Sequence, residues 1–223
     1  MRRPELCRRT ETADANCDRY FSDRLIAEVG TAGPLTNVCT TMTFVHSSRE
    51  VLYALAEPRS GWITAAEAVD AGVSRQQLAR YAESGVLRRS RYGIYRFRDF
   101  PAQPFEDVIE ACLWAGPDAV ASHGTALAIY GLGDAMPASI HITVPHRLRK
   151  KRTGLIIRVA PRVLSDVETR DGVPITSVVR TIRDLSAVET SEEVASVVRE
   201  AEERGLLRRN EAEQLTQELV GST

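Results

Sequence analysis

Residues 63–97 read ITAAEAVDAGVSRQQLARYAESGVLRRSRYGIYRF, and the order of their helix and turn signals decides the fold. Thr64 and Glu67 precede a run of alanines in T-x-x-E spacing. That spacing lets each side chain bond the other's backbone N–H, and it predicts a short capped helix. Gly72, free to take positive φ, ends that helix. Ser74 and Gln77 repeat the signature, and Gly85 closes the second helix. Two capped helices with so short a turn between them must cross steeply, which is helix-turn-helix geometry. The period of the second helix turns Leu78 inward with Tyr81 or Ala82, and leaves Arg75, Gln76, Ala79 and Arg80 outward. Residues 86–90 and 94–97 are rich in strand formers, with Arg91-Tyr92-Gly93 as a hairpin turn. The stretch reads as a winged helix-turn-helix.

Its charge indicates what it touches. Between Arg75 and Arg98 stand seven arginines (75, 80, 88, 89, 91, 96, 98) and one acid, Glu83, while the chain of 223 residues carries a net −1. A basic helix followed by a basic hairpin suits a duplex: residues at the helix N-terminus read major-groove edges, and hairpin arginines hold phosphates or enter the minor groove. The plainer alternative is a solvated basic face on a module that binds protein. Only Lys150 and Lys151 accompany the arginines, a bias typical of GC-rich genomes, so arginine content alone says little.

The length allows two modest domains, and 43% hydrophobic with 26% charged residues is ordinary for a globular protein. No apolar run approaches a membrane span, and no apolar segment follows the N-terminal arginines, so a cytoplasmic protein without membrane partners is expected. Cys7, Cys17, Cys39 and Cys112 form no C-x-x-C pair and have no histidine at ligand spacing. Free thiols are expected, with no metal and no cofactor. Residues 1–41 lack periodicity and read as a disordered or mis-assigned extension, with Met42 as a plausible start. Ser48–Ala56 is the first good helix, with Val51, Leu52 and Leu55 on one stripe, and Trp62 is expected to seal the three-helix junction. The DNA-reading domain spans 42–98, and residues 99–104, with Pro101 and Pro104, are the linker.

Residues 105–223 read as a mixed α+β domain. Helices are expected at 105–115, 119–130, 177–187, 191–204 and 209–220, and strands at 139–144, 155–160 and 173–176. Charge is segregated along this body. Residues 146–162 hold seven basic residues and no acid, whereas 163–223 hold thirteen acids against seven basics. The run containing Arg147, Arg149, Lys150, Lys151 and Arg152 lies between two predicted strands. It is a candidate contact loop for phosphates, an RNA or an acidic partner surface, or simply a solvated loop.

Nothing in the sequence seats a reaction. His46, His123, His141 and His146 stand in no catalytic motif, and no G-x-S-x-G, P-loop, G-x-G-x-x-G or H-E-x-x-H occurs. A metal-dependent nuclease needs a carboxylate pair plus lysine at strand spacing, but Asp166-Val167-Glu168 is followed by Thr169-Arg170. The expectation is a protein that is not an enzyme.

With a winged-helix head, an α+β body and no active site, the chain resembles the AbiEi family, antitoxin-repressors of type IV toxin–antitoxin (abortive infection) systems. The matching head is Trp62 to Phe97. In the body the resemblance rests on Ala121-Ser122-His123-Gly124-Thr125-Ala126-Leu127, Tyr130-Gly131-Leu132, Ile140 to Pro145, and Thr176 to Leu185. It implies repression of the protein's own operon through promoter inverted repeats on double-stranded DNA. It further implies antagonism of a co-encoded nucleotidyltransferase-like toxin, with direct contact left open. Carried onto this sequence, Ser74, Arg75, Gln76 and Arg80 make helix contacts, and Arg88, Arg89, Arg91 and Tyr92 make wing contacts. The alternative is a stand-alone winged-helix regulator or adaptor whose body senses a ligand or partner.

Overall fold

The computed structural model describes residues 47–133, 137–161 and 163–221, and the expectations placed on residues 1–41, Met42, Cys7, Cys17 and Cys39 lie outside these. The described chain is mixed α+β, with eight α-helices and two sheets among the described residues. None of those helices is long and apolar enough to cross a membrane.

The first part is built as its caps dictate. Helices α1 (Ser48–Ala56), α2 (Ala65–Asp70) and α3 (Arg75–Glu83) open on capping boxes formed by Ser47–Glu50, Thr64–Glu67 and Ser74–Gln77. Strands β2 (Leu87–Arg91) and β3 (Ile94–Phe97) form the expected hairpin. A third strand, β1 (Trp62–Thr64), pairs antiparallel with β3 and gives the order β1-β3-β2. Leu52, Ile63, Leu78, Leu87 and Phe97 fill the core between helices and sheet. A fully buried leucine of this kind contributes about 1.5–3 kcal/mol. Phe100, in the segment between head and body, stacks 4.8 Å from Tyr53 and extends that core.

Trp62 corrects the sequence reading. It does not seal the three helices. Strand alternation sends Ile63 into the head core and turns Trp62, with Ile94, into the core of the body. There it meets α4 (Glu106–Ala115), whose Val108, Ile109, Ala111, Cys112 and Ala115 are buried. Burial also pushes the Cys112 thiol up to about 12, so it is a core residue and not a nucleophile.

The body sheet has the order β6-β5-β4-β8-β7, from β4 (Val120–Ala121), β5 (Ile140–Val144), β6 (Leu155–Val159), β7 (Val167–Arg170) and β8 (Val173–Thr176). The predicted helix 119–130 is thereby corrected. Its first residues form the central two-residue strand, and α5 starts only at His123 and runs to Tyr130. Short apolar runs fit strand or helix equally, and pairing with both β5 and β8 decides this one. Three helices complete the body: α6 (Val178–Leu185), α7 (Ser191–Glu203) and α8 (Arg209–Gly221). Arg204 donates to the carbonyls of Tyr130 and Gly131, satisfying the end of α5.

Two connections bind the halves together. The β7–β8 hairpin turns on Asp171 and Gly172, both at positive φ, and a Cβ on Gly172 would lie 3.1 Å from the Cα of Arg59. A side chain there would both strain the positive-φ backbone and force the neighbouring head backbone to give way. The other is the basic run between β5 and β6, which are parallel neighbours. A parallel connection must travel back the length of its strand, and this run does so largely in solvent, held by Leu148 on the body core and Arg152 at Glu110.

Candidate nucleic-acid interface

Helix α3 is held by its own cap and by α1. Ser74 Oγ accepts from the N–H of Gln77, whose Oε1 accepts from the N–H of Ser74, and Gln77 Nε2 donates to Ser48 Oγ at 2.9 Å. The hydroxyl of Ser74 is therefore engaged in the cap. With Leu78 buried and Gln77 turned to α1, the remaining face presents Arg75, Gln76, Ala79 and Arg80 to solvent, as the period predicted. Among the described residues Arg75 and Arg80 have no ion-pair partner. Charges held apart from carboxylates on a rigid helix are available to an external anion.

The hairpin arginines divide into two kinds. Arg88 and Arg89 are exposed; the first lies 5.8 Å from the Trp62 ring centroid and the second 5.3 Å from that of Tyr92, itself 88% exposed. These aromatic contacts leave both charges open to solvent. Arg96 is buried, bonded to Glu106 at 2.5 Å and to the carbonyl of Pro101 at 2.8 Å. Arg91 is taken by Glu110, whose other oxygen accepts from Ser90 Oγ at 2.9 Å. The formal charge of this stretch thus overstates what a duplex would meet, because two of its arginines are neutralised by α4.

Glu110 also joins the hairpin to the basic crossover. Arg152 lies 3.3 Å from the carboxylate that holds Arg91, and burial draws the pKa of Arg152 down against the pull of Glu110. Lys150 donates to the carbonyl of Trp114 and sits 4.7 Å over its ring, and Leu148 packs on the core. Arg147, Arg149 and Lys151 remain exposed. Both groups of predicted contact residues therefore meet at one carboxylate on α4, a connection that no sequence spacing announced.

Residues 50–98 match a family model described as transcriptional regulator, AbiEi antitoxin. This segment, well under half of the chain, is similar to the AbiEi family. The match covers α1 through the hairpin, the part that carries Arg75, Arg80, Arg88 and Arg89. Among solved structures, the chain is similar to the crystal structure of the RV2827C protein from Mycobacterium tuberculosis, at 15% identity and a TM-score of 0.36 over 78% of this chain and 76% of that one. No protein of curated function matches. That similarity is to a family described as transcriptional regulators and antitoxins.

Proposed function

We propose that the head of this chain is a winged helix-turn-helix that reads its own promoter, with α3 as the recognition helix and the β2–β3 hairpin as the wing. The observation that carries this is the outward face of α3, where Arg75, Gln76 and Arg80 project from a capped helix and, among the described residues, no carboxylate pairs with the arginines. On this reading Arg88, Arg89 and Tyr92 make wing contacts, and Arg147, Arg149 and Lys151 add phosphate contacts from the body. The protein represses its own toxin–antitoxin operon through promoter inverted repeats, and the body counteracts a co-encoded nucleotidyltransferase-like toxin.

A gel shift on the upstream duplex tests the head. Each base-reading side chain is worth about 1–3 kcal/mol, so Arg75→Ala with Arg80→Ala together should weaken binding by roughly 100-fold. Unchanged binding would sink the orientation given to α3. Co-expression with the neighbouring gene tests the second function: rescue of growth by the full chain supports it, and its absence overturns it.

A further inference from the structure

One face of the body sheet gathers polar side chains that the fold leaves without partners. Strands β5 and β6 set His141 beside Ile156 and Thr143 beside Arg158, and paired residues share a face. Thr143 Oγ1 donates to Ser122 Oγ at 2.7 Å, and that oxygen lies 3.0 Å from His123 Nδ1, so the start of α5 covers the patch. Helix α6 adds Asp184. Arg158 makes no side-chain hydrogen bond or ion pair among the described residues, and its Nε is buried. Asp184 gives Oδ1 to Arg180 at 2.8 Å, while its Oδ2 is buried without a donor. His141 Nδ1 is buried without a partner as well. Each such group carries a desolvation cost that a bound ligand would remove.

These groups frame two clefts. Thr143, Arg158 and Asp184 line one of about 420 Å³, and His141, Ile156 and Val188 line another of about 700 Å³. His123 stands in the wall of both, and its φ of 51° is a conformation that strains a residue other than glycine. Clefts of this size, with apolar walls and a few convergent polar groups, are the usual seat of a small molecule.

The chemistry of the ligand follows from the groups. A guanidinium without an acceptor calls for a carboxylate or phosphate, and a carboxylate oxygen without a donor calls for an N–H or O–H. The charges choose between these. Burial keeps both imidazoles neutral. Arg180 is shared by Asp184 and Asp166, and Arg183 pairs with Glu218, so Arg158 brings the cluster to zero net charge. A ligand carrying one charge of each sign fits, and a phosphate does not. In the larger cleft Ile156 and Val188 are 40% and 45% exposed, while Glu189 and Glu193 in the same wall oppose an acidic side chain.

We infer that the body binds a free α-amino acid with an apolar side chain. Its carboxylate sits on Arg158, its ammonium on Asp184, and its side chain passes His123 to lie against Ile156 and Val188.

Calorimetric titration of the full chain with L-leucine and with L-phenylalanine tests the site. Saturable binding of at least one is expected, and binding of neither overturns the inference. The matching acid without its amine (isocaproate or phenylpropanoate) should bind at least roughly tenfold more weakly, because Asp184 is then left without a donor. An acid that binds as tightly as its amino acid, or inorganic phosphate that displaces the amino acid, overturns the pairing of charges. Arg158→Gln should weaken binding roughly tenfold or more, since the charged acceptor loses its partner. Ile156→Trp, at a half-exposed position, fills the apolar cleft and should weaken binding too, which decides the matter if Arg158→Gln does not fold. A folded variant of either kind that binds like the parent chain overturns the site.

Discussion

Helices α3 and α4 carry opposite halves of this molecule's electrostatics. Among the described residues the two arginines of helix α3 form no ion pair, whereas α4 supplies Glu106 and Glu110, each of which takes an arginine from the neighbouring hairpin. The difference separates two uses of one residue type. Arginines free of partners on a capped helix can meet a ligand; arginines pulled onto α4 fasten the head to the body. A hairpin fixed this way is aimed by the body, so on the function proposed above duplex binding would be coupled to body structure through α4.

The largest effect should come from the apolar part of that fastening. Trp62 is 1% exposed and belongs to the body core although it lies on a head strand. Trp62→Ala should cost about 3–5 kcal/mol of stability, read by urea denaturation. A loss below about 1 kcal/mol, the range of a surface substitution, would mean that head and body hold together without it.

A smaller contrast separates the arginines themselves. Arg89→Ala should flatten the salt dependence of duplex binding by about one unit of slope, since one phosphate contact is lost. Arg91→Ala, whose charge Glu110 already takes, should change the slope by less than half as much. Equal slopes for the two would show that a phosphate displaces Glu110 and that both arginines serve the duplex.

Much of the head was legible because its signals are local. The two capping boxes read from the sequence, Thr64–Glu67 and Ser74–Gln77, and the turn read at residues 91–93 each lie within four residues; both boxes form, and the turn narrows to Tyr92-Gly93 because Arg91 joins the strand. Strand β1 escaped notice because its three residues end directly on the cap at Thr64, leaving no turn to mark a boundary. In the body, β4 has two residues and β7 is charged, so neither shows the apolar alternation that reveals a strand. The candidate interface was half legible. Helical period placed Arg75 and Arg80 outward, but the pairs Arg96–Glu106 and Arg91–Glu110 span ten and nineteen residues with no periodic relation. Counting charge along the chain therefore could not tell a free arginine from a fastened one.

The smallest effect tests whether the two halves fail together in acid. His123, at positive φ at the start of α5, is buried with its Nδ1 3.0 Å from Ser122 Oγ, and burial lowers its pKa from 6.5 to about 4. Folded, it stays neutral where the unfolded chain would protonate it. Stability from this group is therefore complete above pH 6.5 and declines as pH falls from 6.5 toward 4, because the unfolded state binds the extra proton. Between pH 7.5 and 5 the melting temperature should drop by roughly 2–4 °C more in the parent than in His123→Asn, a change that tolerates the left-handed backbone. If α4 welds the halves, duplex binding and body structure should be lost at the same temperature in that series. Separate transitions, with promoter binding outlasting the body, would show that the pairs on α4 position the hairpin without making one cooperative unit.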